Sequence, residues 1–149
     1  MTTNGTGDSL AVALLSEIAT VEQLAQSHLK HALPHGMEVS HFMVLNHFAG
    51  SGGEKTPGQL ARAFHVTKGA MTNTLRRLEK AGYVNIRPDQ RDARSKKVSL
   101  SEAGREARDE AVKMIAPVFD NVSAKLGPDK IRAVLPLMRE LRELMNAND

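Results

Sequence analysis

Two helix-start signals eleven residues apart, closed by a helix-stopping glycine, constrain this chain more than any other feature. Thr56-Pro57-Gly58-Gln59 joins an N-cap threonine to a proline in the first turn. Gln59 stands where a capping box needs it, its side chain able to return to the cap amide. Leu60, Ala61 and Phe64 give this short helix an apolar side, and His65-Val66 makes a turn. Thr67 caps a second helix from Lys68 to about Ala81, with Ala70, Met71, Thr74, Leu75 and Leu78 as its buried stripe. Gly82 falls where a left-handed residue ends a helix. A short helix, a tight turn and a longer helix over residues 56–82 have the dimensions of a helix-turn-helix. The outward face of the second helix carries Lys68, Gly69, Thr72, Asn73, Arg76 and Arg77.

The rest of the chain arranges itself around that segment. Residues 83–87 and 97–100 alternate and are β-prone, and between them lies a polar, charged stretch. Two strands around a basic tip make a hairpin over residues 83–100. Helical spacing predicts further helices at 9–33, capped by Ser9, at about 40–49, and from Ser101 to about Val122 unless Pro117 intervenes. A last helix opens at Gly127-Pro128, with a kink expected at Pro136. The expected fold is mainly α: a winged helix-turn-helix with a two-stranded β-wing, embedded in an all-helical dimerisation frame. The lobe would be 38–100 and the frame 9–34 with 101–146. Leu10 and Leu14 in the first helix, and Ile131, Leu135, Met138, Leu141 and Leu144 in the last, form apolar stripes. A chain of this size cannot easily bury both internally, so a two-fold homodimer is expected.

Charge is distributed to match. The net charge is only +3, but residues 55–100 hold 11 Lys and Arg against 3 Asp and Glu. A basic patch on a mixed background is the electrostatic footprint of a polyanion binder. With 3% aromatic residues and no Trp, the chain lacks the ring platforms that single strands and RNA stack upon. Double-stranded DNA is the better match. The major groove admits one helix, and the first turns of that helix meet base edges. Asn73 suits adenine and Arg76 or Arg77 suits guanine, whereas Thr67 and Lys68 suit phosphates. Small Gly69 permits close approach. In the hairpin tip, Arg94 suits a narrow minor groove, Lys96 and Lys97 suit the backbone, and Asp92 is expected to pair with a nearby Arg and hold the tip in shape.

At this point the sequence resembles the MarR family of bacterial regulators (multiple antibiotic resistance regulators). The resemblance is carried by Thr67-Lys-Gly-Ala-Met-Thr-Asn-Thr-Leu-Arg-Arg-Leu-Glu-Lys-Ala-Gly-Tyr-Val84, by Asp89-Gln-Arg-Asp-Ala-Arg94, and by Leu100-Ser-Glu-Ala-Gly-Arg105. It spans roughly residues 9–146. It implies a winged helix inside a helical dimer frame, residues 68–77 in the major groove and Arg94 in the minor groove, with Arg91 and Asp92 bracing the wing. It also implies a transcriptional regulator, more often a repressor, that reads a pseudo-palindromic operator and in many cases releases DNA on binding a small ligand. No residue pattern marks a ligand pocket.

The same residues admit other readings. Gly50-Ser-Gly-Gly-Glu-Lys55-Thr56 has the glycines of a phosphate loop, but Glu54 stands where glycine is needed and Pro57 follows. His28, His31, His35, His41 and His47 raise metal binding, yet residues 101–149 offer no His or Cys to complete a site. The seven Met read as core filler. No catalytic signature stands up, so no enzyme, cofactor or metal is expected. The absence of Cys fits a reducing cytoplasm, and no membrane span or signal peptide is visible. The alternative function is a non-specific architectural or nucleoid protein using the basic patch on phosphates alone.

Overall fold

The structure is a computed structural model that describes residues 4–92 and 94–147, with side chains from Ser9 onward. In chain order it contains α1 (Asn4–Ala32), α2 (Val39–Ser51), β1 (Glu54–Lys55), α3 (Pro57–Phe64), α4 (Lys68–Lys80), β2 (Val84–Pro88), β3 (Lys96–Leu100), α5 (Glu102–Leu126) and α6 (Pro128–Asn146). Two compact units result, Met1–Met114 and Ile115–Asp149.

The first unit is built on a core where α2, α3, α4 and the sheet converge. Val44, Leu45 and Phe48 come from α2, Leu60 and Ala61 from α3, Met71, Leu75 and Leu78 from α4, and Val84 and Val98 from the strands. The α4 contribution is narrower than its sequence suggests. Met71, Leu75 and Leu78 are buried, but Thr74 is half-buried and Ala70 is exposed. Both sit on one flank of the packed arc, where the helix turns away from the core.

The helix ends form as their residues demand. Thr56 Oγ1 accepts from the Gln59 amide at 3.1 Å, and Gln59 Oε1 accepts from the Thr56 amide at 2.9 Å. Both exposed donors at that end are satisfied reciprocally. At the end of α4, Gly82 takes φ +81°. Its N–H donates to Glu79 O at 2.9 Å, and the Tyr83 N–H donates to Leu78 O at 2.9 Å. This pair of bonds is a Schellman stop, which turns the chain straight into β2. Helix α2 starts differently. Its cap residue is Glu38, whose N–H donates to His41 Nδ1 at 3.3 Å.

Several boundaries correct the sequence reading. Helix α1 begins at Asn4, so Ser9 lies inside it rather than capping it. Pro117 and Pro136 lie within α5 and α6, and both helices continue past them. Both prolines are exposed, as are Lys113 and Arg132 four residues before them. The carbonyls deprived of a donor can therefore turn to water, which makes an in-helix proline tolerable. The two-stranded wing forms as expected from β2 and β3, and among the described residues a third strand, β1, extends its sheet in the order β1-β3-β2, all antiparallel. Glu54 pairs with Ser99 and Lys55 with Val98, in a segment expected to be loop. A two-residue strand is too short to show periodicity. Arg87 fastens its outer end, donating to both Glu54 carboxylate oxygens at 2.6 Å and through Nε at 2.9 Å.

In the second unit, α6 has no buried residue. Leu135, Met138 and Leu144 are 43%, 40% and 59% exposed, and Ile131 and Leu141 are half-buried. In the first unit the start of α1 is equally uncovered, with Leu10 at 72% and Leu14 at 50%. Among the described residues no helix is long and apolar enough to cross a membrane.

Candidate nucleic-acid interface

Helix α4 is held by one side and offers the other. Thr67 Oγ1 accepts from the Ala70 amide at 3.1 Å, which fixes the first turn. Thr72 Oγ1 donates to Lys68 O at 2.8 Å, so its hydroxyl proton is committed and its lone pairs remain open. Opposite the buried arc of Met71, Leu75 and Leu78 stand Gly69, Asn73 and Arg76, all exposed. A Cβ added at Gly69 would meet nothing within 4 Å. The fold therefore places no demand for glycine there.

Lys68 and Thr72 lie on the flank of α4 that faces the wing. Between α3, α4 and the β2–β3 hairpin runs an open cleft of about 660 Å³, lined by Arg62, Lys68, Thr72, Arg76, Arg94 and Lys96 among others. Six cations therefore line one groove, Arg87 among them being held by Glu54, with Glu79 the carboxylate in its wall. Arg62 was not anticipated from sequence. It follows the capping box on the solvent side of a short helix, and only the packing of α3 beside α4 brings it to the cleft.

Among the described residues, the wing tip is held by bonds to backbone amides rather than by ion pairs. Asp92 was expected to bind an arginine side chain. Instead its Oδ1 accepts from the Arg94 N–H at 3.0 Å, and Asp89 Oδ1 accepts from the Arg91 N–H at 3.0 Å. Asp89 N–H to Ser95 O at 2.9 Å and Ser95 N–H to Asp92 O at 3.0 Å close the loop. A short acidic side chain two residues before an amide forms this local turn more readily than it recruits a long, mobile Arg. Arg91 and Arg94 are exposed.

Two expected contacts separate from the rest. Lys96 and Lys97 follow each other along β3, so their side chains leave opposite faces. Lys96 lines the cleft, whereas Lys97 lies opposite Arg87 in the ladder and is absent from the cleft wall. Arg77, read as a base contact, lies on the far flank of α4, with Nη1 3.2 Å from Glu38 Oε1. That pair is half exposed on both sides, so it adds little stability and mainly directs the guanidinium toward α2.

The histidines take separate local tasks. His31 Nδ1 lies 2.7 Å from Ser27 O, His41 serves the α2 cap, and the His47 ring meets Phe64 edge-on at 5.3 Å between centroids. Burial pushes His41 below its ordinary value near 6.5; the Arg77 charge adds to this and the Glu38 carboxylate opposes it. Burial also lowers His47, helped by Lys55. Both rings are therefore neutral in the fold at a pH where the unfolded chain already binds protons. Their contribution to stability is present above about pH 6.5 and is lost as pH falls through the lowered folded values. Thermal unfolding at pH 5.5 is expected below that at pH 7.5, and His47→Gln is expected to narrow the gap. An equal or wider gap in that variant would remove His47 from the account.

The family model described as the MarR family matches residues 35–95, from the start of the α2 cap region to the wing tip. The reduced form of MarR from E. coli has a similar structure at 25% identity and TM-score 0.72, covering 86% of this chain and 95% of that one. A mutant MarR from E. coli complexed with operator DNA matches at 23% identity and TM-score 0.75, over 88% and 94%. BpsR from Bordetella bronchiseptica, whose DNA binding is regulated by 6-hydroxynicotinic acid, matches at 18% identity and TM-score 0.75, over 87% and 98%. The family's model matches the helix-turn-helix and wing, and the fold is shared along nearly the whole length, so the chain is similar to the MarR family of winged helix-turn-helix regulators.

Proposed function

We propose that this chain is a sequence-specific transcriptional repressor that binds a pseudo-palindromic DNA operator as a homodimer. The observation that carries the reading is the cleft where Arg62, Lys68, Arg76, Arg94 and Lys96 face one groove beside an exposed Gly69-Asn73-Arg76 surface. Its two halves correspond to the two grooves of a duplex. Helix α4 would enter the major groove, with Asn73 and Arg76 at base edges and Thr67, Lys68 and Thr72 near phosphates. Arg94, at the wing tip, would enter the minor groove, with Arg91 beside it. Arg62 and Lys96 would hold the backbone between them.

The uncovered stripes on α1 and α6 support pairing, with residues 9–34 and 101–146 as the dimerisation frame around a 38–100 lobe. A two-fold dimer presents two α4 helices to successive major grooves about one helical turn apart, which calls for an inverted repeat. Control by a small molecule belongs to the same proposal. An apolar cleft of about 440 Å³ beneath α4, lined by Met43, Val44, Phe64, Val66 and Met71, is within the size range of small-ligand pockets.

Selection of the purified protein on random duplex DNA, followed by sequencing, tests the reading. A pseudo-palindrome is expected to emerge. Arg94→Ala is expected to weaken binding to it by about tenfold or more, and Lys97→Ala by less than about threefold. Salt-sensitive binding to every sequence alike would replace the repressor with an architectural protein that touches phosphates only.

A further inference from the structure

Among the described residues, helix α5 is hydrogen-bonded to the DNA-binding lobe at two places. The first is its N-terminal junction. There the Ser101 N–H donates to Tyr83 O at 3.0 Å, and Ser101 Oγ donates to Gly82 O at 2.6 Å. The second lies farther along α5, where Arg108 Nε and Nη2 both donate to Asn46 Oδ1 on α2, each at 3.1 Å. The guanidinium is steadied from its other edge by Asp109 Oδ1, 3.0 Å from Nη1.

Gly104, Arg108, Ala111 and Ile115 follow helical spacing along one side of α5. Gly104, Ala111 and Ile115 are buried, and Arg108 is the charged member of the stripe. Its side chain is 31% exposed, so its charge adds little stability by itself. Two donors of a rigid fork on one fixed oxygen hold an angle as well as a distance. The Ser101 junction alone is a pivot about which α5 could swing. A second attachment, on a different helix of the lobe, removes that freedom. Asn46 is itself placed firmly, because its neighbours Leu45 and Phe48 enter the same core as Met71 and Leu75 of α4.

We propose that Asn46 and Arg108 are a positioning pair that sets the bearing of α4 on α5, and thereby the half-site spacing the dimer accepts. The inference rests on the reading of the chain as an operator-binding dimer. The test uses the full chain and the operator obtained by selection. Affinity is measured for that duplex, for duplexes with the half-sites moved by a base pair or two, and for a duplex carrying a single half-site. Wild type is expected to prefer its own spacing by about tenfold or more. Asn46→Ala and Arg108→Lys are expected to lose that preference and about tenfold in affinity for the full operator. Their affinity for the single half-site is expected to stay within about twofold of wild type. Asn46→Asp, which keeps the acceptor, is expected to retain the preference. Arg108→Lys keeps the charge and stem, so it carries the test if Asn46→Ala does not fold. Variants that keep the wild-type spacing preference would overturn the pair's role, as would equal losses on full and single sites. A wild-type protein indifferent to sequence would overturn the operator reading itself, and the inference with it.

Discussion

Gly104→Ala will destabilise the protein by more than about 3 kcal/mol, although glycine-to-alanine inside a helix ordinarily gains about 1 kcal/mol. The reversal follows from the junction between wing and α5. A Cβ at Gly104 would overlap the Tyr83 carbonyl oxygen and come within 2.8 Å of Leu100 Cδ1. The first obstacle is backbone and cannot rotate away. That carbonyl already accepts from the Ser101 N–H, and the Gly104 N–H donates to Ser101 Oγ at 2.9 Å. Relieving the clash therefore breaks the cap of α5 and loosens the end of α4 together. Urea unfolding of the two proteins side by side measures the effect. A variant as stable as wild type would mean that α5 does not approach β2 as closely as described.

Leu75→Ala will cost about 2–5 kcal/mol, the range for truncating a fully buried leucine. Leu75 is 1% exposed and lies between Met71 and Leu78 on the arc that fastens α4 to the core. Asn73, two residues away on the opposite side of the same helix, is exposed and makes no packing contribution of this kind. Asn73→Ala is therefore expected to stay within about 0.5 kcal/mol of wild type in stability. It should nevertheless weaken operator binding, whereas Leu75→Ala should weaken binding only through the folded fraction. The pair of variants, followed by unfolding and by DNA affinity, separates the side of α4 that folds from the side that reads. Loss of stability in both would show that the outward side also supports the fold.

The helix-turn-helix was legible in the sequence because its information is local. The Thr56 box, the Thr67 cap and the Gly82 stop are each set by residues a few positions apart, and all three formed as their chemistry required. The strand β1 was not legible, since two residues carry no pattern and Glu54 is fixed by Arg87, 33 positions away. Asp92 misled for a related reason. Its charge suggested a distant partner, but an amide two residues on was nearer than any guanidinium. Lys96 and Lys97 looked equivalent until the strand register sent them to opposite faces. Arg77 looked equivalent to Arg76 until the fold set it beside Glu38, from another helix. In each case the missing information was the identity of a neighbour remote in sequence. The same holds for Arg62 and for the Asn46–Arg108 link.

The uncovered apolar stripes lie on α1 and α6, far along the chain from the wing that carries Arg94. Under the proposed pairing, a copy that has lost its wing still assembles. Mixed with intact copies in equal amount, such subunits leave only about one dimer in four with both halves sound, because closed pairs form without regard to the defect. A lesion at the wing tip would thus behave genetically as a dominant one, silencing good subunits along with bad. A lesion that strips Leu135 or Leu144 from the stripe would be recessive, because the damaged copy never joins a partner to spoil.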